Sequence, residues 1–125
     1  MEDLKNNADV AHSLAPAART VSANGTGVDL QGFESAMAVF YAGVVTDGTH
    51  TPTIEESDDN STFTAVAAKY QQGTLAVLAA NVPQRVGYIG LKRYIRAVIT
   101  AAGTTTGAVT SAFVVRADPM SAPAA

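Results

Sequence analysis

The chain has 125 residues, 47% of them apolar, with no cysteine, no tryptophan and a net charge of −3. That is one domain's worth of chain, and without cysteine it holds no disulfide framework, no thiolate nucleophile and no cysteine-based metal site. An acidic balance with only eight lysines and arginines argues against a phosphate-tracking nucleic-acid groove, and no run approaches the roughly 20 apolar residues of a membrane helix.

Residues 1–19 show no sustained period. Asn6-Asn7, Pro16 and scattered alanines predict an extended N-terminal arm, with Leu4, Val10 and Leu14 spaced along it as anchors for a foreign surface. The opening Met-Glu-Asp-Leu-Lys is polar and acidic, unlike a secretory signal. Thr20–Ala23 and Gly27–Leu30 flank Asn24-Gly25, a two-residue turn signal that predicts a first hairpin or a strand–turn–strand. Phe33–Val45 alternates, with Phe33, Ser35, Met37, Val39 and Tyr41 on one face and Glu34, Ala36, Ala38 and Phe40 on the other, and Asp47-Gly48 ends this strand.

Thr51–Ser57 predicts a further strand, with Pro52 tolerated near its start. Ser57-Asp58-Asp59-Asn60-Ser61 reads as a polar turn whose side chains bond their own backbone. Ala67–Gln72 is the best helical fragment, closed by Gly73, and Thr74–Val82 reads as a strand ended by Pro83.

Val86–Thr100 is the densest run of β-branched and aromatic residues. From Arg93 onward it alternates Arg93, Ile95, Ala97 and Ile99 against Tyr94, Arg96 and Val98, which predicts a strand at the centre of an antiparallel sheet. Gly87 and Gly90 divide it into an incoming and an outgoing segment. Gly103–Gly107 is a flexible turn, and Ala108–Ala117 is a last strand with Val109, Ser111, Phe113 and Val115 on one face. The expected core anchors are Phe40 or Met37, Ile95, Ile99 and Phe113. Short strands at turn spacings near ten residues predict an all-β fold, an antiparallel β-sandwich or jelly-roll-like single domain over 20–118, with an arm over 1–19 and a tail over 119–125.

The charges are segregated. Residues 1–68 hold ten of the eleven acids and two cations; residues 69–116 hold six cations and no acid. Two readings follow. Acidic and basic strands pair across one sheet, or a basic surface carrying Arg85, Lys92, Arg93 and Arg96 steers contact with another copy or a larger body.

Chemistry is sparse. Asp58-Asp59-Asn60 lacks the glycine and closing glutamate of a calcium loop, so a solvated turn is favoured. Glu55 and Glu56 are neighbours on a strand and point to opposite faces, a poor pair for glycoside hydrolysis. His12 and His50 have no ligand-spaced companion, and no Gly-x-Ser-x-Gly elbow occurs. The expectation is therefore no catalysis, no cofactor and no metal. Tyr41, Tyr70, Tyr88 and Tyr94 offer what a carbohydrate-binding face would need, which keeps a glycan-binding module as the rival class.

Taken in order, Asn6-Asn7, Ala15-Pro16-Ala17, Asp29–Ser35, Glu56–Asp59, the run Val86–Arg96 and the close at Ser121-Ala122-Pro123 make the chain similar to a family of small proteins of tailed bacteriophages. The resemblance spans nearly the whole chain, and Gly87-Tyr-Ile-Gly-Leu-Lys-Arg-Tyr-Ile-Arg96 is its most specific part. Members are usually encoded beside the major capsid protein. The resemblance implies a capsid decoration, or cement, protein: a β-sandwich on the outer capsid surface of the virion that bridges capsomers. It implies the major capsid protein and further copies of the chain, in a dimer or trimer, as partners, with no nucleic acid and no membrane, and synthesis in the bacterial host cytoplasm. No catalytic residues come with it.

Overall fold

The computed structural model describes residues 3–120. Ten strands form two antiparallel five-stranded sheets: β1 (Ala8–Arg19), β2 (Ala23–Asn24), β3 (Val28–Asp29), β4 (Phe33–Val45), β5 (Thr49–Ser57), β6 (Thr64–Ala65), β7 (Gln71–Gln72), β8 (Gln84–Tyr88), β9 (Tyr94–Ala102) and β10 (Ala108–Pro119). The first sheet runs β1-β10-β4-β8-β7. The second runs β2-β9-β5-β6, with β3 also on β9. The all-β sandwich expected from the alternation is what forms.

The core lies between the sheets. Ala38, Phe40 and Ala42 of β4, Val86 of β8, and Ala112 and Val114 of β10 face Ile54 of β5 and Ile95, Ala97 and Ile99 of β9. Phe40, Ile95 and Ile99 are buried anchors as expected. Phe113 is not: β10 turns its Ala108, Thr110, Ala112 and Val114 side inward, leaving Phe113 half-buried on the outer face. Met37 sits on that face too.

Three expectations are corrected and a fourth is settled. Residues 8–19 are no arm. They form β1, paired with β10 from Ala8↔Ala117 to Arg19↔Ala108, so the domain begins near Ala8. Of the two readings at Asn24-Gly25 the strand–turn–strand forms and the hairpin does not, since β2 and β3 both pair with β9 and not with each other. Between them the Gly25 N–H donates to the Ala97 carbonyl at 2.7 Å, and the Ser13 hydroxyl accepts the Ala97 N–H at 2.9 Å. A Cβ on Gly25 would fall 2.2 Å from the Ser13 oxygen, so only glycine lets β1 be stitched to β9 here. Ala67–Gln72 gives one 3-10 turn, Ala68–Tyr70, running directly into β7. Thr74–Val82 is irregular; Leu78 plugs the core and only Ala80 bridges to Ala42.

The dense run 86–100 is divided between the sheets. β8 lies between β4 and β7, β9 lies at the centre of the second sheet, and the loop 89–93 crosses between them. Of the expected tail 119–125, Pro119 still pairs with Phe33 and the Met120 N–H donates to the Gly32 carbonyl at 2.8 Å. Residues 121–125 lie outside the described residues.

Candidate functional site

The segregated charges meet inside the molecule. Each of four ion pairs joins an acid from the first half to a cation from the second: Lys92–Asp58 at 2.7 Å, Arg93–Asp29 at 2.8 Å, Arg96–Glu55 at 2.5 Å, and Arg116–Asp9. Register explains two of them. Glu55 stands opposite Arg96 on β5 and β9, and Asp9 stands opposite Arg116 on β1 and β10. The Arg93 fork on Asp29 (2.9 and 2.8 Å) holds that carboxyl below its usual range, and its grip raises Arg93 in turn. The exposed pairs Lys92–Asp58 and Arg93–Asp29 are screened by solvent and add little to stability, while the side chains of Arg96–Glu55 and Arg116–Asp9 are mostly buried. The effect of all four is to occupy the cations. Lys92, Arg93 and Arg96 thus have acid partners within the chain. Arg85 is exposed and has none among the described residues.

The anchors expected along 1–19 separate in the same way. Leu14 is a core residue at 5% exposure, because the β1 register shifts after His12 and turns it inward. Leu4 and Val10 are exposed, at 72% and 61%. Val10 lies on the outer face of the first sheet.

That face is the strongest candidate surface. Directly opposed residues in an antiparallel pair share a face. Val10↔Val115↔Met37 therefore makes one apolar row across β1, β10 and β4, and His12↔Phe113↔Val39↔Arg85 the next, reaching β8. Exposed Tyr41 and Val109 extend it. At the β8 side the face hollows into a groove of about 440 Å³, floored by Met37, Gly87 and Val115 and rimmed by Ser35, Gln72 and Arg85.

One end of the sandwich is closed by polar links between the sheets. The Tyr88 hydroxyl donates to Glu56 Oε1 at 2.7 Å, and the Arg116 guanidinium donates to the Asp29 carbonyl at 2.8 Å while stacking on Phe33. Burial, and then the bond to Glu56, push the Tyr88 hydroxyl well above its ordinary pKa, so it stays protonated and donating. Nearby, the Asp59 carboxylate accepts the Thr62 and Ser61 N–H groups at 3.0 Å and the Ser57 hydroxyl at 2.8 Å, which brings it down to about 2. This carboxylate is spent on its own turn, as the sequence suggested. Among the described residues, no three histidine, cysteine, aspartate or glutamate side chains gather as metal ligands would.

The four tyrosines do not converge. Tyr88 is buried, Tyr41 lies on the first sheet's outer face, Tyr94 lies on β9, and Tyr70 lies beside β7. A lysine or arginine approaches the rings of Tyr70 and Tyr94 at 5.1 and 5.2 Å.

Neither a protein-family model nor a curated protein matches the chain. Solved structures do. The PBSX exported protein XepA is similar over 97% of this chain with a TM-score of 0.61 and 25% identity, and this chain spans 40% of that one. The SPBc2 prophage-derived protein YomS is similar over 89% of this chain and 94% of its own, with a TM-score of 0.57 and 17% identity. The second likeness is one of fold.

Proposed function

We propose that this chain is a structural protein of a bacteriophage particle, without catalysis, and in the finer form a decoration protein. On this reading it sits on the outer capsid surface, contacts the major capsid protein and bridges capsomers. The observation that carries the reading is the outer face of the first sheet, where half-buried Phe113, Val115, Met37 and Val39 form adjoining apolar rows with exposed Val10, flanked by exposed Val109 and Tyr41. Partly exposed apolar faces of this kind mark contact surfaces. The internal pairing of Lys92, Arg93 and Arg96 favours apolar attachment over attachment by a basic patch. The resemblance of the sequence to phage decoration proteins and the fold shared with a prophage-derived protein point the same way.

The test is co-sedimentation with capsids of the cognate phage that lack the protein. The expected result is saturable binding, kept at high salt because exposed charges are screened beyond about 8 Å at physiological ionic strength while apolar contact is not. The doubly substituted Val10→Asp, Val109→Asp chain should lose binding with its fold intact, since both side chains are exposed. Unchanged occupancy by that variant would remove this face from the account.

A further inference from the structure

The loop between β8 and β9 is tethered on both sides, yet it presents its aliphatic side chains to water. Leu91 is 93% exposed and Ile89 50%. The Tyr88 hydroxyl accepts the Lys92 N–H at 3.0 Å, and the Ile89 N–H donates to the Tyr70 carbonyl at 2.9 Å. The ion pairs of Lys92 with Asp58 and Arg93 with Asp29 tie the outgoing side. Gly90 lies against the Tyr88 ring, where a Cβ would fall 2.4 Å from the hydroxyl oxygen. Holding backbone in one conformation costs about 1–2 kcal/mol per residue. Leu91 returns little of that to folding, because it touches little of its own chain. An aliphatic side chain held out on a pre-ordered loop is built for insertion, since the ordering cost of binding is already met.

A socket lies beside it. Four residues back, Gly87 leaves open the floor of the groove on the first sheet, whose 440 Å³ falls within the roughly 300–1,000 Å³ of small-ligand pockets. Gly87 suits this place: a Cβ would come within 3.0 Å of the Gln72 side chain. The groove is apolar below and carries at its rim Arg85, a cation with no acid partner among the described residues. The knob is apolar and has at its side Asp58, whose side chain is 71% exposed beyond its contact with Lys92. The knob offers an exposed leucine beside a carboxylate that Lys92 only partly covers, and the groove offers an apolar floor beside a cation.

We propose that two copies of this chain associate about a two-fold axis, each placing Leu91 in the other's Met37–Gly87–Val115 groove, with Asp58 brought to Arg85 of the partner subunit. Knob and groove adjoin at one corner of the sandwich, so a single self-complementary interface holds both, and it closes at two copies. The pairing stands without the capsid reading, and it takes Met37 and Val115 from the outer face, leaving Val10, Phe113, Val39 and Val109 for any capsid contact.

Sedimentation velocity of the full chain over a concentration series tests it. The wild-type chain is expected to reach a dimer and stop. Leu91→Asp should raise the dimer dissociation constant at least tenfold while leaving the circular dichroism spectrum unchanged, because the side chain is almost fully exposed. Met37→Glu should do the same from the groove side. Mixed together, these two variants should recover a 1:1 heterodimer, since one knob then meets one intact groove. Should Met37→Glu disturb the fold, Arg85→Glu takes its place in the mixture. A wild-type chain that stays monomeric, a Leu91→Asp dimer as tight as the wild type, or assemblies that grow past two copies would each overturn the proposal. So would a monomer that needs Leu91 for capsid attachment, which would give the knob to the capsid instead.

Discussion

Replacing Tyr88 by phenylalanine isolates the link that holds the two sheets together at the loop end. The ring stays, so no cavity opens, and only the hydroxyl is lost. That hydroxyl donates to Glu56 at 2.7 Å and accepts the Lys92 N–H at 3.0 Å. A hydrogen bond to a charged group contributes about 1.5–3 kcal/mol, and Tyr88 is the side-chain donor that half-buried Glu56 takes among the described residues. The exposed Lys92 amide turns to water and adds little. The expected loss is about 2–3 kcal/mol, or roughly 8–12 °C in Tm for a domain between the small and mid-sized ranges. Thermal melts followed by circular dichroism give this number directly, and hydrogen exchange at the Lys92 amide should quicken in step. A Tm within about 2 °C of wild type, with Lys92 still protected, would refute the claim that this hydroxyl organises the loop.

Other perturbations read other parts of the structure. Ile95→Ala removes a fully buried side chain at the centre of the second sheet, and chemical denaturation should register a loss of about 2–5 kcal/mol. Deleting residues 1–18 removes most of an edge strand together with buried Leu14 and Ser13, so the truncated chain should fail to give a cooperative melt. Asp59, lowered from 3.8 to about 2, contributes stability that is complete above its unfolded pKa and is lost as pH falls through about 2. An acid titration of Asp59→Asn should accordingly show a shallower loss of stability over that window than the wild type.

Where the chain alternates without interruption, its sequence was readable. The alternation places β4, β9 and β10 within two residues at each end, because each holds its period for nine residues or more. β1 was hidden because its register shifts twice, between His12 and Leu14 and between Leu14 and Ala17, and each shift breaks the period that marks a strand. Its alanines and Pro16 then looked like arm. Phe113 was misplaced for a related reason: β10 buries its small residues, Ala108, Ala112 and Thr110, and the sequence rule favours the larger side chain. The four cations around 85–96 looked like a patch because their acids lie 34 to 64 residues away for Lys92, Arg93 and Arg96. Only the strand register brings those charges together. Leu91 gave no signal at all, since a leucine beside a strand is ordinarily core, and Gly87 signalled a close approach without saying that a groove lay above it.

On the proposed function, this chain is built into a phage particle through an apolar sheet face. Quantitative mass spectrometry of purified particles from the phage that encodes it measures that directly. A copy number in fixed ratio to the major capsid protein, retained through a high-salt wash and lost when Val10 and Val109 are both aspartate, is the predicted result. Particles of full infectivity that carry no copies of the chain would contradict it.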